Sequence, residues 1–348
     1  RDVRTFAETA VVRNKSFGGT CVNCHTFSPN HPDRMILQTR GAMDGVNYGG
    51  TFIVHDGQVK KVNTATLAKD GEANRGRIGK AMAGYSAWHP NGESIVYSAN
   101  DIFQFFHAVG EVRDVFDRES ELALLHVESN QVSTSPEISS PDRSETFPTW
   151  SPDGRSLYFC AADTLPQEQY KQVRYDLMRI GYDPESGDWG ELEKVLSSED
   201  TGLSILLPRV SPHGKLLLFS MSDYGAFPVF QSSSDLYLLD LATGEHRKLA
   251  VNSGQSDSWH CWSSNSRWIA FASKRRDGVF DRVYFGYVDE TGHAHKPFVL
   301  PQKDPTFYDR FIKTYNAPEL APFPAPVTSR ELGRVIRNSG EESSGGGG

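Results

Sequence analysis

Four segments of this chain repeat one pattern: an aromatic or apolar residue, a Pro-Asx-Gly-like turn, then a β-branched or aromatic run. They are Trp88-His89-Pro90-Asn91-Gly92 before Ser94-Ile95-Val96-Tyr97, and Trp150-Ser151-Pro152-Asp153-Gly154 before Ser156-Leu157-Tyr158-Phe159. The others are Val210-Ser211-Pro212-His213-Gly214 before Leu216-Leu217-Leu218-Phe219, and Trp262-Ser263-Ser264-Asn265-Ser266 before Trp268-Ile269-Ala270-Phe271. Successive copies start roughly 50–60 residues apart, a period that points to a propeller or array. Proline fixes one turn torsion and glycine accepts a positive one, so each copy predicts a hairpin. Further strands and turns follow each hairpin: Asp176–Ile180 before Asp183–Gly187, Asp235–Asp240 before Ala242–Glu245, and Val283–Tyr287 before Thr291-Gly292. A short fourth strand such as His246–Leu249 completes the unit. Four strands per repeat make a propeller blade.

The second constraint is chemical. Cys21-Val22-Asn23-Cys24-His25 has the C-x-x-C-H spacing of a c-type haem attachment site. Two thiols at this spacing can form thioethers to one haem, and the adjacent histidine can ligate its iron. Only four cysteines occur in 348 residues, which leaves little room for a chance match. A redox C-x-x-C pair needs a strand-to-helix setting, whereas this motif follows the Gly/Ser-containing run Ser16–Thr20. A zinc site needs a second close pair of ligands, and Cys160 and Cys261 stand apart. Those two read as buried free thiols beside strand-like runs.

Composition is that of an ordinary globular protein: 38% hydrophobic, 23% charged, net charge −8. No basic block interleaved with aromatics occurs, which argues against nucleic acid as a partner. No apolar run approaches membrane-spanning length. Haem is attached to C-x-x-C-H outside the cytoplasmic membrane, so the expected location is periplasmic or extracellular, after loss of an export signal.

The W-S-P-D-G hairpins over about residues 85–300 resemble the TolB-type, WD-repeat-like blades of bacterial periplasmic propellers. The whole chain resembles exported bacterial proteins that join a C-x-x-C-H segment to such blades. The runs Cys24-His25-Thr26-Phe27, Glu145–Gly154, Leu207–Gly214, Trp262–Arg275 and Lys296–Pro305 carry that similarity. The resemblance implies a haem-bearing propeller and no single reaction. His89 in place of serine, and Ser264-Asn265-Ser266 in place of Pro-Asp-Gly, depart from the pattern without breaking a turn.

The expected architecture is therefore all-β: a propeller of four-stranded blades with an N-terminal c-type haem-binding segment. Five blades are favoured, with six as the alternative. The fifth blade is built from Met35–Gln38, Thr51–Val54 and Val59–Val62, closed by a C-terminal strand. The expected division is a haem segment over 1–34, the propeller over 35–320 and an extended or disordered tail over 321–348. Ring closure predicts that 51–62 lies beside the last blade, and that Trp88, Trp150 and Trp262 are buried at equivalent positions.

One covalent haem c is the expected cofactor, held by Cys21 and Cys24 and ligated by His25. For the sixth ligand the first candidate is Met35. Ten residues span about 33 Å when extended, enough to wrap a haem edge, and a thioether ligand favours electron transfer. The plainer reading is that Met35 begins an apolar strand. His107, after an aromatic run, and His260, before a first strand, are the alternative ligands, although a hydrogen-bonded loop histidine is the commoner role for each. Arg40, Arg77, Lys80 and Tyr85 could serve the propionates or the pocket. Electron transfer within a larger exported complex is the preferred function, with a redox partner protein or further subunits implied and the chain acting as a subunit rather than an independent catalyst. The alternatives are a haem enzyme acting on peroxide or a small nitrogen compound, and a TolB-like binding or scaffold module in which haem plays a minor part.

Overall fold

In the computed structural model, residues 1–43, 46–64, 83–105 and 114–344 are described. Their strands form five antiparallel four-stranded sheets in chain order. Blade 1 holds Cys21–Ser28, His31–Arg40, Gly50–His55 and Gln58–Val62. Blade 2 holds Ala83–Trp88, Ser94–Phe105, Asp114–His126 and Gln131–Ser133. Blade 3 holds Arg143–Trp150, Ser156–Asp163, Asp176–Tyr182 and Trp189–Leu196. Blade 4 holds Ser204–Val210, Leu216–Ser222, Asp235–Asp240 and His246–Lys248. Blade 5 holds Asp257–Trp262, Trp268–Ser273, Arg282–Tyr287 and Phe298–Val299. The first strand of each blade packs against the first strand of the next, from blade 1 through blade 5. The fold is a five-bladed propeller.

The turns form for the expected reasons. Gly92, Gly154 and Gly214 take φ of 80°, 71° and 74°, values that L side chains rarely adopt. Ser266 holds the same turn position in blade 5 at φ 56°, and its hydroxyl accepts the His213 amide of the blade 4 turn at 3.1 Å. His89 likewise ties neighbours together. Its Nε2 donates to the Gly154 carbonyl of blade 3 at 3.0 Å, and its Nδ1 accepts the Asn91 amide at 3.3 Å. Both departures from the repeat are thus bonds between blades.

Trp88, Trp150 and Trp262 are 1%, 5% and 5% exposed, buried at equivalent positions as the repeat requires. The core lies between blades: Ala87, Val96, Leu122 and Leu124 of blade 2 pack on Trp150, Leu157 and Phe159 of blade 3. Each such large apolar side chain contributes about 1.5–3 kcal/mol by burial. The outer strand of blade 4, His246–Lys248, is exposed throughout, and its charges discourage pairing along that open edge.

Three expectations are corrected. The strand completing blade 1 is not C-terminal; it is Cys21–Ser28, the strand that bears C-x-x-C-H. A boundary at residue 34 therefore falls inside a blade, because Met35 pairs with Phe27 across the first hairpin. The tail is not extended throughout, since Ser329–Ser344 is a helix. Thr328 caps it: its hydroxyl accepts the Glu331 amide at 3.3 Å, while the Glu331 carboxylate accepts the Thr328 amide at 2.8 Å. That is a capping box. Ring closure follows from the tail. Tyr315 and Leu320 cover the apolar face of blade 5 formed by Cys261, Ala270 and Val283. Val327, Leu332 and Ile336 then pack on Phe17, Leu37, Phe52 and Val54 beside blade 1.

Candidate functional site

The first strand of every blade loses register within the few residues before its turn, at places that differ by one residue between blades. The slips fall between Val22 and His25, Ala83 and Ser86, Thr146 and Thr149, Leu206 and Arg209, and Ser258 and His260. Phe147, Leu207 and Trp259 adopt φ of 54°, 55° and 46° within them. Such bulges bend a strand and re-aim its side chains. Here they aim inward. Cys24, Tyr85, Phe147, Leu207 and Trp259, three residues before Phe27, Trp88, Trp150, Val210 and Trp262 respectively, line one cavity of about 390 Å³ on the propeller axis. The residues that follow them, His25, Ser86, Pro148, Pro208 and His260, line it as well. Phe27-Ser28-Pro29-Asn30 thus matches the start of the repeat in sequence, but its turn is tighter, a two-residue reversal with Asn30 at φ 60°, and the cysteine motif lies on the strand before it.

Cys24 and His25 are therefore neighbours on the cavity wall. Burial pushes the Cys24 thiol up to about 11, against a smaller pull from Arg40. Burial, helped by Arg209, lowers the His25 pKa, so its imidazole is held neutral, the form that binds iron. Cys21 pairs with Arg40 across the hairpin. It is exposed and stands beyond the cavity lining, at the start of the strand. Arg40 lines the cavity and has no ion-pair partner among the described residues.

Tyr85 also lines the cavity, its ring 4.2 Å from Phe147 and 5.6 Å from Trp259. Burial raises its phenol well above the usual value, so it stays protonated. His260 is on the wall with both nitrogens engaged: Nε2 donates to the Leu218 carbonyl at 3.2 Å, and Nδ1 faces the Ser220 hydroxyl at 3.4 Å. Burial pushes its pKa down to about 3.

Met35 is not brought to this cavity. The hairpin reverses at Pro29-Asn30, so residue 35 returns beside Phe27 instead of wrapping a ligand. Its side chain is 3% exposed, in a cluster with Phe17, Leu37 and Phe52. His107, Arg77 and Lys80 lie outside the described residues. Two residues that the sequence reading did not single out belong to the site: Arg209 from blade 4 and Glu319 from the tail, 3.3 Å apart. Nothing in their local sequence marks them, because the tail reaches the axis only through the tertiary fold.

No known protein family matches the chain, and no curated protein matches it. Among solved structures it is similar to a putative TolB from Agrobacterium tumefaciens, at 16% identity over 81% of each chain and a TM-score of 0.48. TolB from Acinetobacter baumannii is similar at 14% identity, over 82% of this chain and 58% of that one, with a TM-score of 0.46. Hydrazine synthase of Kuenenia stuttgartiensis is similar at 12% identity, over 85% of this chain and 69% of that one, with a TM-score of 0.44. Likenesses this distant say nothing about activity.

Proposed function

We propose that this chain is a c-type haem protein in which His25 ligates the iron, Cys21 and Cys24 hold the porphyrin, and a small molecule reacts in the central cavity. The observation that carries the reading is the placement of Cys24 and His25 on the wall that all five blades share. The donor set fits the group: a neutral imidazole, reduced thiols and Arg40 for a propionate. Attachment through both thiols would also engage Cys21, which is exposed at the start of the strand and paired with Arg40. When bound, the haem supplies redox chemistry and a coordination position at iron. The chain's own residues do the rest. Phe147, Phe227 and Trp259 exclude water, Tyr85 offers a protonated phenol, and Arg209 and Arg40 supply positive charge. Covalent haem attachment also places the protein outside the cytoplasmic membrane.

Electron transfer to a redox partner is the second reading, favoured by the exposure of Cys21, which would leave a haem edge at the surface. The ferric optical spectrum separates the two. Chemistry at the cavity predicts a high-spin spectrum that His25→Ala alters and Met35→Ala leaves unchanged. A low-spin spectrum that Met35→Ala converts to high spin would overturn the proposal and restore electron transfer through a methionine-ligated iron.

A further inference from the structure

The axis of the propeller holds a second cavity, of about 240 Å³, on the side of the Ser-Pro turns. Phe27, Trp150, Trp262, Pro152 and Cys261 are among the residues that wall it. Among the described residues, Arg209 and Glu319 line both cavities. Their ion pair stands between the two cavities.

The two sides of this pair are built differently. Arg209 belongs to the rigid first strand of blade 4, and its carbonyl accepts the Trp262 indole N–H at 3.0 Å. Glu319 arrives on the tail, 110 residues later. Its strap, Asn316-Ala317-Pro318-Glu319, lines the cavity, and Ala317 is held at φ 46°, a strained angle for a residue with a Cβ. The contact is a single bond from Arg209 Nη2 to Glu319 Oε1, not the two-pronged pairing that a guanidinium favours. Burial raises the Glu319 pKa by more than Arg209 lowers it, so the carboxylate is poorly compensated where it sits. Arg40 shares the larger cavity with no ion-pair partner among the described residues.

We propose that the middle of the channel is a site for a small anion, occupied in this chain by its own Glu319 carboxylate and opened when an external carboxylate-like anion takes Arg209. Displacing Glu319 would release the strap and join the two cavities into one path along the axis. This inference rests on the channel alone and needs no haem.

Formate is the probe, titrated calorimetrically into the full chain with any iron held ferrous. Glu319→Gln removes the internal competitor while keeping its shape, so formate should bind at least tenfold more tightly than to the parent. Arg209→Met should abolish binding. A measurement on the unaltered chain guards against misfolded variants. Leu320 packs over Cys261, so saturating formate should speed alkylation of Cys261 while the fully buried Cys160 stays protected. No gain in Glu319→Gln, unimpaired binding in Arg209→Met, or Cys261 reactivity indifferent to formate would each overturn the proposal. Absence of haem from the chain would end the preceding reading and leave this test intact.

Discussion

The first strands of blades 1 and 3 both bulge, but only that of blade 3 does so through a residue at positive φ, Phe147, and the two present opposite chemistry. In blade 3 the bulge carries Phe147, 3% exposed and packed with Cys160, Tyr175 and Leu206. It is followed by Pro148 and, two residues on, by Trp150 in the core between blades. In blade 1 the equivalent residues are Cys24, His25 and Phe27, all only half-buried. Blade 3 fills its bulge to seal the seam between blades. Blade 1 spends its bulge on a thiol and an imidazole, and its seam with blade 5 is filled by the tail. A repeat fold thus supplies five nearly equivalent positions on one axis, and a single blade can be given chemistry while the others keep the ring rigid.

Stability measurements can break this contrast. Trp150→Ala should cost about 3–5 kcal/mol, the range for emptying a buried aromatic site. Phe27→Ala at the matching position should cost under about 2 kcal/mol, because less of the side chain leaves water. Urea midpoints at constant slope decide the matter. Equal losses would mean that the blade 1 strand is as deeply built in as that of blade 3.

A smaller effect sharpens it from the seam between blades 2 and 3. Asn100 there donates to Asp117 and, at 3.3 Å, to Thr146 of the blade 3 strand. Burial pushes the Asp117 carboxyl up to about 8 and that of Glu145 up to about 7. Below about pH 4 these groups are protonated folded and unfolded alike. As pH rises towards 8 the unfolded chain ionises first, binds fewer protons than the folded chain, and stability falls. Asp117→Asn should flatten that decline and leave the variant about 1–3 kcal/mol more stable than the parent at pH 8. Parallel pH profiles for the two proteins would show that the Asp117 carboxyl ionises freely in the folded state.

Much of this arrangement could be read in the sequence, and the failures have physical causes. The Trp-Ser-Pro-Asp-Gly copies revealed the blades because their turns depend on local torsions. Phe27-Ser28-Pro29-Asn30 begins like the other copies but lacks their glycine and closes in a tighter turn, while Cys21–His25 reads as an attachment site and so hides the strand that carries it. The C-terminal helix had a local signal in Thr328 and Glu331, with Leu332, Val335 and Ile336 at helical spacing. The glycine-rich end after it has the composition of a disordered tail and masks that signal. Met35 has the reach and the thioether for a sixth ligand, but neither reveals that a hairpin turns the chain back. Arg209 with Glu319 had no local signal, since only ring closure brings the tail to the axis.

The central claim is that the blade 1 bulge carries a covalent haem. Its most direct test is the intact mass of the denatured chain purified from cells competent in cytochrome maturation. The account predicts the polypeptide mass plus one haem, lost when Cys21 and Cys24 are both replaced by alanine. A mass equal to the bare polypeptide would contradict it, and the cavity that His25 lines would then have to be explained without iron.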